Sequence, residues 1–303
     1  MATLPTDPQK AKVYEKAYTA ANYTQAYRKG RAAVSDGIVD EVLDFLRKKR
    51  PSYSWSRHVD VACGHAVSTL KFARKLPENV EVICSDLSTA QVESAKLTFG
   101  QENLANPVRF EVCSAYCIPI ESDSVDLITI SVALHWIDQN RFFMEVRRLL
   151  KPGGVLAVIG HARPTFESEL WSEEQADRFG QCVVSYLENM MDAHEKTIPD
   201  VMQVYRYVID GYPGLKLPFA ESRITGADTK LQGRHGSTIA DVWAYLESWQ
   251  SIFNYIEENP EAPSYLEFKK RALSLLPTEC ANDAGPATIV HPWFTLMSRK
   301  PCG

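Results

Sequence analysis

A chain of 303 residues, 45% apolar and 23% charged, has the make-up of an ordinary soluble globular protein. Its 33 basic and 38 acidic side chains leave a formal charge of −5, which excludes gripping nucleic acid through a globally basic surface. The opening segment lacks the regions of a secretory signal, and no stretch approaches the ~18 apolar residues of a membrane span. Seven cysteines, odd in number and without CxxC spacing, suit free thiols in a reducing, cytoplasmic compartment.

To about Gly30 the chain is polar, rich in tyrosine and alanine, and reads as one or two helices outside any sheet. With Ser35 as N-cap, Ile38, Val39, Val42, Leu43, Phe45 and Leu46 recur at spacings of three and four and predict an amphipathic helix. It ends in the basic run Arg47-Lys48-Lys49-Arg50, which favours the helix dipole and reads as a solvated helix end. Short apolar runs then alternate with helical segments. Strands are expected over His58–Ala62, Val80–Cys84, Val108–Val112, Val125–Val132 and Val155–Ile159. Helices are expected over Ser68–Leu76, Ser88–Phe99 and Phe142–Leu150, with a turn at Pro152-Gly153-Gly154. This alternation predicts an α/β fold with a parallel sheet covered on both faces and ligand sites at the strand C-termini. Beyond His161 the alternation stops. Helices over Leu170–Met191, Thr238–Glu257 and Tyr265–Leu276, a strand over Leu215–Ile224 and a closing strand over Thr288–Ser298 are expected there.

The sequence Asp60-Val61-Ala62-Cys63-Gly64-His65-Ala66 ends one strand and precedes a helix. Small residues at such a place let the backbone approach a ligand at a helix N-terminus. The second strand ends in Ser85-Asp86-Leu87-Ser88, where an acid accepts hydrogen bonds from ribose hydroxyls. Together they point to a nucleoside cofactor. The loop has neither GxGxxG nor GxxxxGK[ST], so neither a dinucleotide pyrophosphate nor a P-loop phosphate is indicated. Asp60 would repel a pyrophosphate and attract the cationic amino or sulfonium end of S-adenosylmethionine.

Asp60 to Ala66, Asp86, Ser114-Ala115-Tyr116, Asp126 and Lys151-Pro152-Gly153-Gly154 resemble the motifs of class I, Rossmann-like S-adenosylmethionine-dependent methyltransferases, across roughly Ser35–Gly160. Ala133–Asp138 and Trp243–Trp249 are similar to the trans-aconitate methyltransferase group within methyltransferase type 11. So is the Tyr23, Tyr27-Arg28 cluster, spaced one residue wider than that group's motif. With the element order, the resemblance implies a seven-stranded, mostly parallel sheet of order 3-2-1-4-5-7-6, helices on both faces and a helical cap inserted around the last strands. The corresponding division is an N-terminal helical flap over 1–34, a cofactor-binding core over 35–160, a cap with the sixth strand over 161–287, and a closing strand within 288–303.

The residue roles follow from the same resemblance. Asp60 and Gly64 hold the methionine end of S-adenosylmethionine, with Ala62 and Cys63 lining the loop. Asp86 takes the ribose hydroxyls, Leu87 lies against the adenine, Ser114 and Ala115 flank its edge, and Val132 lies beneath the sulfonium. The product is S-adenosylhomocysteine. Ala62 and Ala66 replace two family glycines, which is tolerable if φ is negative there. Ser114 stands where the family often has an acid.

Acceptor residues are fainter. His135, after the fourth strand, is a general base or a positioning residue, and Trp136 covers the pocket or simply packs. Arg28, Arg31 and Arg206 could grip a carboxylate bidentately, and Tyr23, Tyr27 and Trp249 join the expected substrate wall. The expected reaction is methylation of a small molecule, foremost a carboxylate oxygen. A small amine nitrogen, or an inactive cofactor-binding protein, are the alternatives. No acidic cluster has metal-site spacing, and no Asn/Asp-Pro-Pro-Tyr motif follows the fourth strand. The expected partner is a small molecule, without nucleic acid or membrane, on a monomer or homodimer.

Overall fold

The computed structural model describes residues 21–193, 201–226, 229–259 and 263–302. Helix α1 (Ala21–Gly30) leads into α2 (Asp36–Arg47), whose N-terminus is capped by Ser35 Oγ accepting from the Ile38 amide at 3.3 Å. Then come β1 (Arg57–Val61), α3 (Val67–Ala73), β2 (Glu81–Asp86), α4 (Thr89–Gly100), β3 (Val108–Val112), β4 (Val125–Ser131), α5 (Gln139–Leu149) and β5 (Leu150–His161). The alternation read from the sequence is therefore present, with boundaries moved by a few residues.

Strands β1 to β5 are parallel in the order 3-2-1-4-5. Period-two alternation places their side chains in two cores. Val155, Ala157 and Ile159 face the core covered by α2, α3 and α4. Leu156 and Val158 face the other, covered by Phe142, Phe143 and Val146 of α5. Burial on both faces is why these strands read as continuous apolar runs.

The remaining elements are β6 (Thr165–Glu167), α6 (Glu173–Ala193), α7 (Val201–Ile209), β7 (Glu221–Thr225), β8 (Gln232–His235), α8 (Ile239–Glu247), α9 (Gln250–Glu258), α10 (Pro263–Leu273) and β9 (Thr288–Arg299). The C-terminal half of β9 pairs antiparallel with β5 on one edge and with β7 on the other. With β7 as sixth strand and β9 as last, this is the 3-2-1-4-5-7-6 order. The sheet nevertheless has nine strands rather than seven, because β6 and β8 flank the N-terminal half of β9. Three- and four-residue strands carry too little alternation to be seen in sequence.

Several other expectations are corrected. Pro152-Gly153-Gly154 is not a turn but part of β5, which starts directly after α5. The strand expected over Leu215–Ile224 is confined to Glu221–Thr225. The single helix expected over Thr238–Glu257 is two. Ser248 Oγ donates to the Tyr245 carbonyl at 2.6 Å, and Trp249 turns extended (φ −87°, ψ 127°) to become the N-cap of α9. Helices α6 to α10 share a core of their own, including Phe179, Leu187, Trp243, Leu246, Ile252 and Phe268.

Two buried ionic clusters lie away from the strand C-termini. Asp126 accepts from Arg50 Nε at 2.9 Å, Lys151 Nζ at 2.9 Å and the Ser56 amide at 2.8 Å. The end of the basic run is thus an intramolecular partner rather than a free patch. Arg299, fully buried, donates to the Gly153 carbonyl at 2.9 Å and to Glu221 at 2.9 Å, and also bonds the Phe45 carbonyl. It ties β9 to β5, β7 and α2. No helix among the described residues is long and apolar enough to cross a membrane.

Candidate functional site

A cavity of about 260 Å³ opens at the C-terminal ends of β1, β2 and β4 and runs beneath α6 and α7. A smaller recess of about 70 Å³ adjoins it behind the loop after β1. That loop turns through three left-handed residues, Ala62 (φ 53°), Gly64 (φ 56°) and Ala66 (φ 61°). The expectation of negative φ at the two alanines is thus overturned. Each carries the steric cost of a β-carbon in left-handed backbone, about 1 kcal/mol or more. The turn persists because it is tied down. The Cys63 amide donates to the Ser85 carbonyl at 3.0 Å, and the Gly64 amide donates to Asp86 Oδ2 at 2.9 Å.

Asp86 also accepts from the Ser88 amide through Oδ1 at 2.9 Å. Burial raises its pKa, and these backbone amides pull the other way. The amides of Ser88, Gly64 and Leu87 take three of the four lone-pair positions of the carboxylate and leave one. Leu87 beside it is 47% exposed, a large apolar surface at the cavity wall. Ser114 and Ala115 line the same end, where Ser114 Oγ accepts from the Tyr116 amide at 3.3 Å.

Asp60 lies in the recess, 2% exposed. It accepts from Thr129 Oγ1 at 2.7 Å and from Thr69 Oγ1, and among the described residues it forms no ion pair. Burial pushes its pKa up to about 6. Cys63 lines the recess rather than the main cavity, and the adjacent Cys84 together with burial holds its thiol well above the ordinary range. It is therefore a protonated filler and no nucleophile. Val132 borders both spaces with φ 49°. A β-branched side chain in left-handed backbone is a strained arrangement of the kind found at ligand sites.

His135 and Trp136 form a short 3₁₀ turn after β4 and line the far end. His135 Nδ1 lies 3.2 Å from the Tyr212 hydroxyl, which fixes the ring. Burial, followed by the charges of His161 and Arg31, brings its pKa down to about 3. The imidazole is neutral and a weak base. His161, at the end of β5, is bonded through Nδ1 to the Ala162 carbonyl at 2.9 Å, so that nitrogen is the protonated one. The walls above are Met191 of α6, Val204, Tyr205, Val208 and Ile209 of α7, and Trp249 at the α8–α9 break.

The arginines sort differently from the sequence expectation. Arg206 is exposed and lies outside the cavity lining, and Arg28 reaches Gln101 at 3.4 Å rather than the cavity. Arg31 is the cation that lines both spaces. Its guanidinium stacks 4.2 Å from the Trp249 ring centre and 5.2 Å from that of Tyr27. Tyr27 lines the cavity, whereas the Tyr23 side chain and residues 1–20 lie outside the described residues. His161 and the α7 wall are additions that the sequence motifs do not single out. The position of His161 at a strand C-terminus is a usable signal, while Val204, Val208 and Ile209 look like any buried helix face. No group of metal-ligating side chains is found among the described residues.

A methyltransferase-domain family model matches residues 59–158. A ubiquinone/menaquinone biosynthesis C-methyltransferase of Marinomonas sp. is 28% identical over 153 residues, and the chain covers 57% of its length. A probable S-adenosylmethionine-dependent methyltransferase of Saccharomyces cerevisiae is 27% identical over 294 residues, covering 93% of this chain and 98% of the relative. A solved structure of a candidate type II methyltransferase from Anaeromyxobacter dehalogenans matches the fold with a TM-score of 0.63 at 20% identity, over 90% of this chain and 99% of that one. None of these three carries the name of a trans-aconitate methyltransferase. Residues 59–158 thus match a methyltransferase domain, and the fold over nine-tenths of the chain is that of a solved methyltransferase structure.

Proposed function

We propose that the protein transfers a methyl group from S-adenosylmethionine to a small molecule, and that the accepting atom is a carboxylate oxygen. The observation that carries this reading is one continuous cavity joining the Asp86–Gly64 loops to the His135 end beneath α6 and α7. The residues fit the cofactor. Asp60, a buried carboxylate without a described counter-ion, suits the ammonium of the methionine end. The remaining lone pair of Asp86 suits a ribose hydroxyl, and Leu87 offers an apolar face to the base. When bound, the cofactor supplies a methyl group on cationic sulfur.

What the chain supplies is positioning and exclusion of water. His135, held by Tyr212 and neutral, orients the acceptor rather than deprotonating it. A carboxylate arrives without a proton to lose, whereas an ammonium must be deprotonated first. With His135 titrating near 3 and Arg31 nearby, the walls at the His135 end offer an amine neither a competent base nor a counter-ion. This favours the acid over the amine.

The test is release of S-adenosylhomocysteine with a panel of small acids and amines. Turnover of acids, lost in Asp86→Ala, is the expected result. Turnover of amines alone would move the acceptor atom to nitrogen. Tight cofactor binding with no turnover of either class would leave a cofactor-binding protein without catalysis.

A further inference from the structure

The acceptor end of the cavity is unlike its cofactor end in one respect that bears on substrate class. Its walls are largely apolar, Trp136, Met191, Val204, Val208, Ile209 and Trp249, and the hydroxyls of Tyr205 and Ser251 beside them are neutral. No acidic side chain lines it among the described residues, and Arg31 is the one lysine or arginine there. Arg31 is also fixed in place. Its guanidinium lies over Trp249, within 6.0 Å of the Tyr245 ring centre, and donates toward the Ser248 carbonyl at 3.4 Å. It cannot swing along the cavity without leaving these aromatic faces.

We propose that the acceptor is a hydrophobic monocarboxylic acid, its single acid group toward His135 and Arg31 and its apolar body against the α6–α7 wall. This rests on the methyltransferase reading above and goes beyond it by excluding small polyacids. One carboxylate finds positive charge at the reacting end, from Arg31 and from the cofactor when bound. A second carboxylate, carried two or more carbons away, would be buried against Val208 and Ile209 with no cation. An unpaired buried charge is strongly disfavoured. Each added methylene, by contrast, leaves water for apolar wall, at about fourfold in affinity per group.

The experiment uses the full chain with S-adenosylmethionine and two series of straight-chain acids of matched length, monocarboxylic and α,ω-dicarboxylic. kcat/KM for the monoacids should rise about fourfold per methylene until the wall is filled. The matched diacids should be at least a hundredfold poorer. Ile209→Lys, which places a cation on that wall, should bring the diacid-to-monoacid ratio up at least tenfold, and an unchanged cofactor Kd shows that the variant is folded. Diacids as good as monoacids, or rates indifferent to chain length, would overturn the proposal while leaving acid methylation intact. Turnover of amines alone would overturn both.

Discussion

The two ends of the cavity are made from different materials. At the proposed cofactor end, the lining is short loops whose backbone amides hold Asp86 in place, with Asp60 behind them, and the loops sit on the ends of parallel strands that are buried on both faces. At the acceptor end, side chains of helices α6, α7 and α9 form the wall, and those helices pack mainly on one another. The first surface is fixed by hydrogen-bond geometry and tolerates little change. The second is fixed by side-chain volume, so its shape can be rewritten without touching the sheet. An enzyme family can therefore keep one cofactor and change acceptors.

Substitutions should fall on one side of this division or the other. Asp86→Ala removes both the amide clamp and the acceptor of a ribose hydroxyl, and should weaken S-adenosylmethionine binding by about 4 kcal/mol, roughly a thousandfold. Calorimetry would show it, and a loss below tenfold would mean that the cofactor is held elsewhere. Asp60 gives a pH signature. Its folded pKa of about 6 lies above the unfolded 3.8. The folded state therefore holds the proton more tightly, and this contribution is full below pH 4 and lost as pH rises through 6. About 3 kcal/mol of cofactor-free stability should go from this group over that window. Urea unfolding at pH 4.5 and 7 should show a smaller difference between the two in Asp60→Asn than in the parent. Equal pH dependence would place the titrating group elsewhere.

The smallest effect tests the strained loop. At Ala62 relief of the left-handed cost exceeds the added unfolded-state entropy of glycine, so Ala62→Gly should raise stability by about 0.5 kcal/mol in urea unfolding. A loss of stability would show that the methyl group contributes packing that outweighs its strain.

The same division explains what is legible in the sequence. The proposed cofactor end has an acid, a glycine and another acid at fixed intervals after strands, and that spacing together with the family resemblance singles out Asp60, Gly64 and Asp86. The left-handed conformation of Ala62 and Ala66 is not legible, because alanine ordinarily argues against it. At the acceptor end, α7 gives no motif, and its Val204, Val208 and Ile209 are apolar residues at helical spacing like those of any core. The break at Ser248 and Trp249 lacks glycine and proline, so a continuous helix is the natural expectation there. Arg31 and Arg28 differ in sequence by three positions, and only the end of α1 just before Arg31 decides which faces the cavity.

Strand β9 also carries a consequence for how the chain reaches its folded state. It is the shared partner of β5, β6, β7 and β8, and its pairings are distant in sequence, as Ile159 with Thr295. On a ribosome the first five strands emerge long before it. Until Thr288–Arg299 is made, β5 is an open edge with apolar faces on both sides, and such an edge is prone to pair with other chains. Distant pairing of this kind also slows folding. The half-synthesised protein, rather than the finished one, is thus the form most exposed to aggregation and most in need of a chaperone.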